Sequence, residues 1–442
     1  MPSKFLRLRR LLNQCIFALV VIFMVSGCRQ SSQIPAEIVG DSMAPLLCGT
    51  HLRESCLQCD FSFDYSSNQD VQSVQCPNCG SQFPSQGTSL PADSVSVMPN
   101  RSPRRWDIVA FEHGDNTMIK RVVGLPGESV SIASGNILID GNLVAKPHNI
   151  AVQTQHFVFD SAFHNHNTPP RLELNAKHWN QRSGAVEHRS RDAVASKIDW
   201  ISYRHQRNYP HHAASSPQSW PAIEDNNGYN QNVGRKLKVV NELAVQLDLT
   251  LQNGTTFVLQ RTVGHNHLEA NDANFAPLAT YRLKLTVDED LPQYRGTLTR
   301  GDFQATFSGR IPKLMDRTFK VSLSASDFDR RIKIALDEVV KIDVSASFDS
   351  PAAKGTLNQQ LDGASFSAPY LKFGFSPSSI GSVNRCRIWR DIHYFSETAP
   401  PEFQLPITLD QESYFVLGDN TAISRDSRHF GPIKKVIGTV QQ

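Results

Sequence analysis

The chain has 442 residues, more than one ordinary domain, so about two to four folding units are expected. Its 45 Lys and Arg stand against 42 Asp and Glu, a formal net charge of +3, which excludes the strong basic field of a nucleic-acid-binding surface. With 40% hydrophobic and 20% charged residues it can build real cores, and most of it should be globular.

Residues 1–10 carry four positive charges and no acid, and an apolar run from Leu11 to Gly27 follows. That run has about the length needed to enter a bilayer, and the basic flank holds its start in the cytoplasm. Everything after residue 30 is therefore expected on the extracytoplasmic side of a membrane. The run ends in Val25-Ser26-Gly27-Cys28, which resembles a bacterial lipobox, where Cys28 would be acylated and the preceding segment removed. An uncleaved transmembrane anchor is the other reading, and both make membrane lipid a partner.

A dozen residues later comes Val39-Gly40-Asp41-Ser42-Met43-Ala44-Pro45-Leu46-Leu47. A serine in such a turn is ordinarily structural, and only other parts of the chain can make Ser42 a nucleophile. Next, Cys56-x-x-Cys59 and Cys76-x-x-Cys79 are separated by sixteen residues. Two turn-borne thiolate pairs at this separation can complete a tetrahedron, the signature of a zinc ribbon over residues 48–83 with Phe61, Phe63 and Phe83 packed around it. Outside the cytoplasm the same thiols could instead form disulfides. Cys48 and Cys386 lie outside the pattern.

Short apolar runs bounded by Gly and Pro, such as Trp106 to Phe111 and Gly135 to Gly141, predict strands and a hairpin. Between them, Met118-Ile119-Lys120-Arg121-Val122-Val123-Gly124-Leu125-Pro126-Gly127-Glu128 sets a lysine in an apolar strand. From 150 to 235 the chain is polar, and nine of the fifteen histidines fall between His148 and His212, at irregular spacings that match no ligand motif. A loop-rich connector without a metal site is expected there. From 236 to 350, period-2 segments recur at Val245–Leu251, Thr256–Leu259, Tyr281–Val287, Gln304–Ser308, Phe319–Leu323, Ile332–Leu336 and Ile342–Phe348. They predict an antiparallel sandwich or jelly roll, with Asn253-Gly254-Thr255 as a hairpin turn.

The last region contains Gly418-Asp419-Asn420-Thr421-Ala422-Ile423-Ser424-Arg425-Asp426-Ser427-Arg428. With Ser42-Met43-Ala44-Pro45 and the Lys120 stretch, in this order and close behind an N-terminal anchor, it resembles the signature boxes of bacterial type I signal peptidases, the membrane-bound Ser-Lys endopeptidases that remove leader peptides. The resemblance covers residues 36–47, 93–147 and 412–440. It implies Ser42 as nucleophile, Lys120 as general base and Ser424 as the hydroxyl that orients the lysine amine. Met43, Pro45, Asp419 and Asn420 support the site, and Asp426 pairs with Arg428. Preprotein leader peptides with small residues at the cleavage site are the implied substrates, with no catalytic cofactor. The chemistry fits, because a hydroxyl needs a base to take its proton, and a lysine serves only if burial lowers its pKa from about 10.4 toward 7 to 8.

The expected architecture is mainly β: a signal-peptidase-type β-barrel core in two parts, 31–150 and 399–442, following a 1–30 anchor or lipoprotein signal. The zinc ribbon interrupts the first part, and a 151–235 connector and a 236–398 β-sandwich separate the two. One departure stands out. Many family members carry a hydroxyl residue two positions before the nucleophile and a glycine just before it, where this chain has Gly40 and Asp41. Loss of one oxyanion donor costs about 10²–10³ in rate. The alternative function is therefore a catalytically weak or inactive homologue whose β-sandwich serves as a cell-surface binding scaffold.

Overall fold

The computed structural model describes residues 33–99, 101–164, 170–182, 185–190, 197–208, 220–263, 279–311, 318–345, 365–366, 369–396 and 404–441. The apolar run at 11–27 and Cys28 lie outside the described residues. Among those residues no helix is long and apolar enough to cross a membrane. The described part is mainly β, as the period-2 patterning predicts.

A six-stranded antiparallel sheet joins the two ends of the described chain. Its order is Ile34–Glu37, Ser94–Pro99, Val436–Gln441, Ile108–His113, Asn116–Gly124 and Phe415–Leu417. Val109, Phe111, Val122 and Val416 are buried together on three of its strands, while Val95 of Ser94–Pro99 packs with Met43 and Ile108 in a neighbouring cluster. A second, four-stranded sheet, Asn142–Leu143, Asn136–Ile139, Ser129–Ala133 and Ile407–Thr408, packs Val130, Ile137 and Ile139 against Phe415 and Leu417.

The largest core lies between an eight-stranded and a seven-stranded antiparallel sheet. Strand Leu243–Gln252 shows why. Its alternation buries Leu243, Val245, Leu247, Leu249 and Leu251 on one face and leaves the intervening residues half-buried. Full burial of each such side chain is worth about 1.5–3 kcal/mol. Each period-2 segment expected here lies in an observed strand as far as the described residues extend.

Two expectations need correction. Asn253–Thr255 makes a tight turn, Thr255 N–H donating to Gln252 O at 3.1 Å, but no hairpin. The strands it joins, Leu243–Gln252 and Thr256–Val263, belong to opposite sheets, so the turn crosses the sandwich edge. The stretch expected as a loop-rich connector also supplies the strands His156–Asp160, Leu172–Leu174, Trp179–Arg182, Ala185–Arg189 and Asp199–Tyr203 to the two sandwich sheets. Its polar composition hides them because several buried polar residues are satisfied in place, as where His188 meets both Ser379 O and Asp199.

A buried ion cluster ties the sandwich to the first part of the chain. Lys146 Nζ donates to Asp329 Oδ1 at 2.5 Å and to Asp391 Oδ2 at 2.9 Å, all three groups being nearly inaccessible. Burial, reinforced by Asp391 and Asp329, pushes the neighbouring Glu242 carboxyl well above its usual range.

Candidate active site

Ser42 lies in the loop after strand Ile34–Glu37. The turn is closed by Leu46 and Leu47 N–H groups donating to Met43 O at 3.1 Å. Met43 and Leu47 are buried with Ile38, Val95 and Ile108, and this apolar anchor fixes where the intervening loop begins. Pro45 is exposed at the tip.

Lys120 occupies strand Asn116–Gly124 opposite Val109 and is 2% exposed. Its Nζ lies 2.7 Å from Ser42 Oγ and donates to Ile119 O at 2.9 Å. Burial lowers its pKa from 10.5 to about 8, and the negative charges of Asp426 and Asp419 hold it from falling further. A desolvated amine beside a hydroxyl can, once neutral, accept the hydroxyl proton.

The next residue, Arg121, is fully buried and forks onto Asp419, Nε to Oδ1 at 2.8 Å and Nη2 to Oδ2 at 2.6 Å. Its remaining Nη1 donates to Trp106 O at 2.9 Å. This pair anchors the Gly418–Ser424 turn to the lysine strand. Sequence reasoning passed over Arg121, although its place beside Lys120 in a buried strand was a signal that the charge needs a partner.

Gly418 marks the closest approach. A Cβ there would lie 2.1 Å from Ser424 Oγ and 2.5 Å from Ser42 O, so no side chain fits. Asn420 N–H donates to Ser42 O at 3.0 Å, and Asn420 Nδ2 donates to Asp41 O at 3.0 Å. Ser424 N–H donates to Asn420 O at 3.0 Å, which closes the turn. Ser424 Oγ is buried beside this turn and makes no hydrogen bond to Lys120 or to any other described residue.

Asp426 accepts from Gly418 N–H at 3.0 Å and from Arg428 Nε and Nη2 at 2.8 and 2.9 Å. It also caps the short helix Ser427–Phe430. Burial alone would raise its pKa, but Arg428, His429 and the Gly418 N–H outweigh it and hold the carboxyl well below its usual range.

Asp41, the residue that departs from the family pattern, is 8% exposed, and its carboxylate has three donors. Ser66 Oγ reaches Oδ2 at 2.5 Å, Asn68 Nδ2 reaches Oδ2 at 2.9 Å, and Tyr229 hydroxyl reaches Oδ1 at 2.8 Å. Asn230 pairs reciprocally with Asn420, at 2.7 and 2.9 Å. The sequence carried no sign that Ser66, Asn68, Tyr229 and Asn230 converge here, since they come from the cysteine-bearing insert and from a distant polar loop. Gly40 faces open space, and a Cβ there would meet nothing within 4 Å.

Cys56, Cys59, Cys76 and Cys79 are all buried, and their sulfurs lie within 4.8 Å of one another. Cys56 to Cys79 is 3.5 Å and Cys59 to Cys76 is 3.7 Å. A disulfide needs about 2.05 Å, whereas a tetrahedral metal with bonds of about 2.3 Å needs sulfurs about 3.8 Å apart. The two Cys-x-x-Cys turns have the same build: Asp60 N–H donates to Cys56 O and Gly80 N–H to Cys76 O, each at 2.9 Å, and both donor residues have positive φ. Phe61, Phe63 and Phe83 pack around the cluster, with Phe163 from the neighbouring loop. The four thiols fit a closed tetrahedral ion.

The family model of signal peptidase, peptidase S26, matches residues 8–182 and 361–442. No curated protein matches the chain. Among solved structures, the laminarinase catalytic domain from Thermotoga maritima MSB8 is similar at 10% identity and TM-score 0.31, covering 54% of this chain and 99% of that one. The laminarinase from Rhodothermus marinus is similar at 11% identity and TM-score 0.31, covering 54% and 98%. The carbohydrate-binding module CBM66 from Bacillus subtilis is similar at 10% identity and TM-score 0.22, covering 50% and 93%. Likenesses this distant carry no weight for activity. The matched residues make up more than half of the chain and include Ser42, Lys120 and the Gly418–Arg428 stretch, and the chain belongs to the signal peptidase, peptidase S26, family.

Proposed function

We propose that the protein is a membrane-bound serine endopeptidase that removes N-terminal leader peptides from exported proteins on the extracytoplasmic side. The observation that carries this reading is the contact of 2.7 Å between Lys120 Nζ and Ser42 Oγ, with burial holding the amine near pKa 8. Neutral Lys120 takes the Ser42 proton as Oγ attacks the scissile carbonyl, and it returns the proton to the leaving amine. Ser42 N–H, which has no acceptor among the described residues, is free to donate to the oxyanion. Ser424, whose buried hydroxyl beside Gly418 has no hydrogen-bond partner among the described residues, is the group assigned to orient the lysine amine. Met43 and Pro45 shape the nucleophile loop, and Asp419, Asn420, Asp426 and Arg428 hold the opposite wall.

The strand Phe415–Leu417 pairs with Arg121 to Gly124 and ends there, which leaves the Asn116–Lys120 edge without a strand partner on that side among the described residues. An extended leader-peptide end fits that edge by strand addition, with small side chains accepted beside Ser42. In the same reading, residues 1–30 form the anchor or lipoprotein signal, and residues 48–83 form a zinc ribbon within the first part of the core. A zinc ion held by Cys56, Cys59, Cys76 and Cys79 supplies structural closure, since all four positions are taken by protein.

The test is cleavage of a peptide with an Ala-x-Ala site by the full chain in detergent, beside Ser42→Ala and Lys120→Ala. Activity lost in both variants supports the dyad. A second reading, the weak or inactive homologue serving as a binding scaffold, is favoured by the missing side chain at Gly40. Silence from the folded wild type would promote it.

A further inference from the structure

At one edge of the sandwich three side chains from both sheets converge. His178 precedes strand Trp179–Arg182, His188 lies on Ala185–Arg189 opposite Trp179, and Asp199 begins Asp199–Tyr203 in the facing sheet. His178 Nδ1 is 2.8 Å and His188 Nε2 2.7 Å from the same oxygen, Asp199 Oδ2, and the three atoms lie within 4.8 Å of one another. Strand pairing creates this group, and no spacing rule in the sequence reveals it.

The hydrogen bonds constrain what sits between these atoms. His188 is fully buried, and its Nδ1 lies 2.8 Å from Ser379 O. A carbonyl oxygen only accepts, so Nδ1 carries the proton and Nε2 is the nitrogen turned to the carboxylate oxygen. Either a proton on Nε2 or a metal ion bound by both groups fills the space between them. An Nδ1–H held by a backbone carbonyl is also the usual outer partner of a metal-bound histidine, fixing the tautomer and the ring plane. Trp179 and Phe375 wall the ring, with centroids 4.8 and 5.4 Å away, while His178 is about a third exposed and gives an entry path.

We propose that His178, His188 and Asp199 form a second, previously unassigned site for a divalent transition ion of the zinc class. Two imidazoles and one carboxylate suit such an ion in ligand type and charge. Opening the nitrogen–oxygen separations by about 0.6 Å brings them to the spacing of a tetrahedral centre with bonds of about 2.05 Å. Three protein ligands leave a fourth tetrahedral position for a water or for an oxygen or nitrogen donor of a ligand. The inference does not depend on the peptidase reading.

The experiment is titration of the metal-stripped full chain in detergent with Co2+, read by bound ions per chain and by visible absorption, which separates thiolate from nitrogen–oxygen coordination. The expected result is two ions, one of each kind. His178→Ala and Asp199→Asn each weaken the nitrogen–oxygen ion at least about tenfold and leave the thiolate band unchanged. His178 is partly exposed, so its variant should fold even if changes at buried His188 do not. A single thiolate-bound ion per chain overturns the proposal and leaves a buried imidazolium–carboxylate pair. So does a second ion indifferent to both variants.

Discussion

The hydroxyl of Tyr229 donates to Asp41 Oδ1 at 2.8 Å across 188 positions of sequence. This contact joins the residue just before Ser42 to a loop that also grips the cysteine insert, where Gln231 accepts from Gln75 N–H at 2.8 Å, and the turn opposite, where Asn230 meets Asn420. Asp41, which looks like a defect in the family pattern, is thereby a fixed point of the nucleophile loop. A hydrogen bond to a charged group is worth about 1.5–3 kcal/mol. Tyr229→Phe should lower the unfolding free energy by about that amount and lower kcat more than it changes KM, measured by denaturant melts and peptide cleavage.

The lysine pKa gives a pH profile. With Lys120 near 8, kcat/KM should rise about tenfold per pH unit below 8 and level above it. The stability sign follows from the same shift. The folded value lies below the unfolded 10.5, so the unfolded chain binds this proton more tightly, and the cost is full below pH 8 and fades as pH rises toward 10.5. At pH 7 that cost is on the order of 3 kcal/mol. Lys120→Met should therefore abolish cleavage and raise Tm at pH 7, with the gain shrinking above pH 8. A profile centred near pH 10 would contradict the buried-amine mechanism.

Gly40 offers a gain-of-function test. Its surroundings are open, and Gly40→Ser places a hydroxyl two positions before the nucleophile without a clash. One oxyanion donor is worth about 10²–10³ in rate, so an increase in kcat of at least about tenfold is expected. Gly49 is the contrast: a Cβ there would lie 2.7 Å from Val39 O. Gly49→Ala should lower stability and shift the nucleophile loop.

Removal of the thiol cluster should be felt at Ser42. Ser66 and Asn68, both donors to Asp41, lie between the two Cys-x-x-Cys turns in sequence. Cys76→Ser, or treatment with a strong chelator, should lower both Tm and kcat. An unchanged kcat in Cys76→Ser would show that the insert does not support the loop.

Lys146 is the counterion for two buried carboxylates. Lys146→Met leaves Asp329 and Asp391 uncompensated, and the expected cost is about 3–5 kcal/mol in a denaturant melt. The double variant with Asp391→Asn should recover part of it.

Much of this was legible in the sequence, and the reason differs from part to part. The alternation of Val245 to Leu251 reports a face buried in a sheet, a property local to the strand, so the sandwich could be read directly. Ser42 and Lys120 were picked out by the resemblance of their stretches to the family's boxes and the four cysteines by their Cys-x-x-Cys spacing, and the structure brings each set together. The carboxylate cage of Asp41 was not, because Ser66, Asn68 and Tyr229 are common polar residues whose meaning arises only where three distant segments meet. The strands between His156 and Tyr203 were hidden for a related reason: buried histidines and an aspartate satisfy one another there, so polarity no longer marks a loop.

The order of strands in the six-stranded sheet bears on when the site around Ser42 can be completed. Val436–Gln441 lies between Ser94–Pro99 and Ile108–His113, and Arg121 waits for a partner 298 positions later at Asp419. During synthesis the early half therefore carries Ser42 and Lys120 with a gap in the sheet and an unpaired buried guanidinium. Such distant pairings form late and slowly. The Gly418–Ser424 turn that meets Ser42 O therefore joins the site only after the whole sandwich has been made.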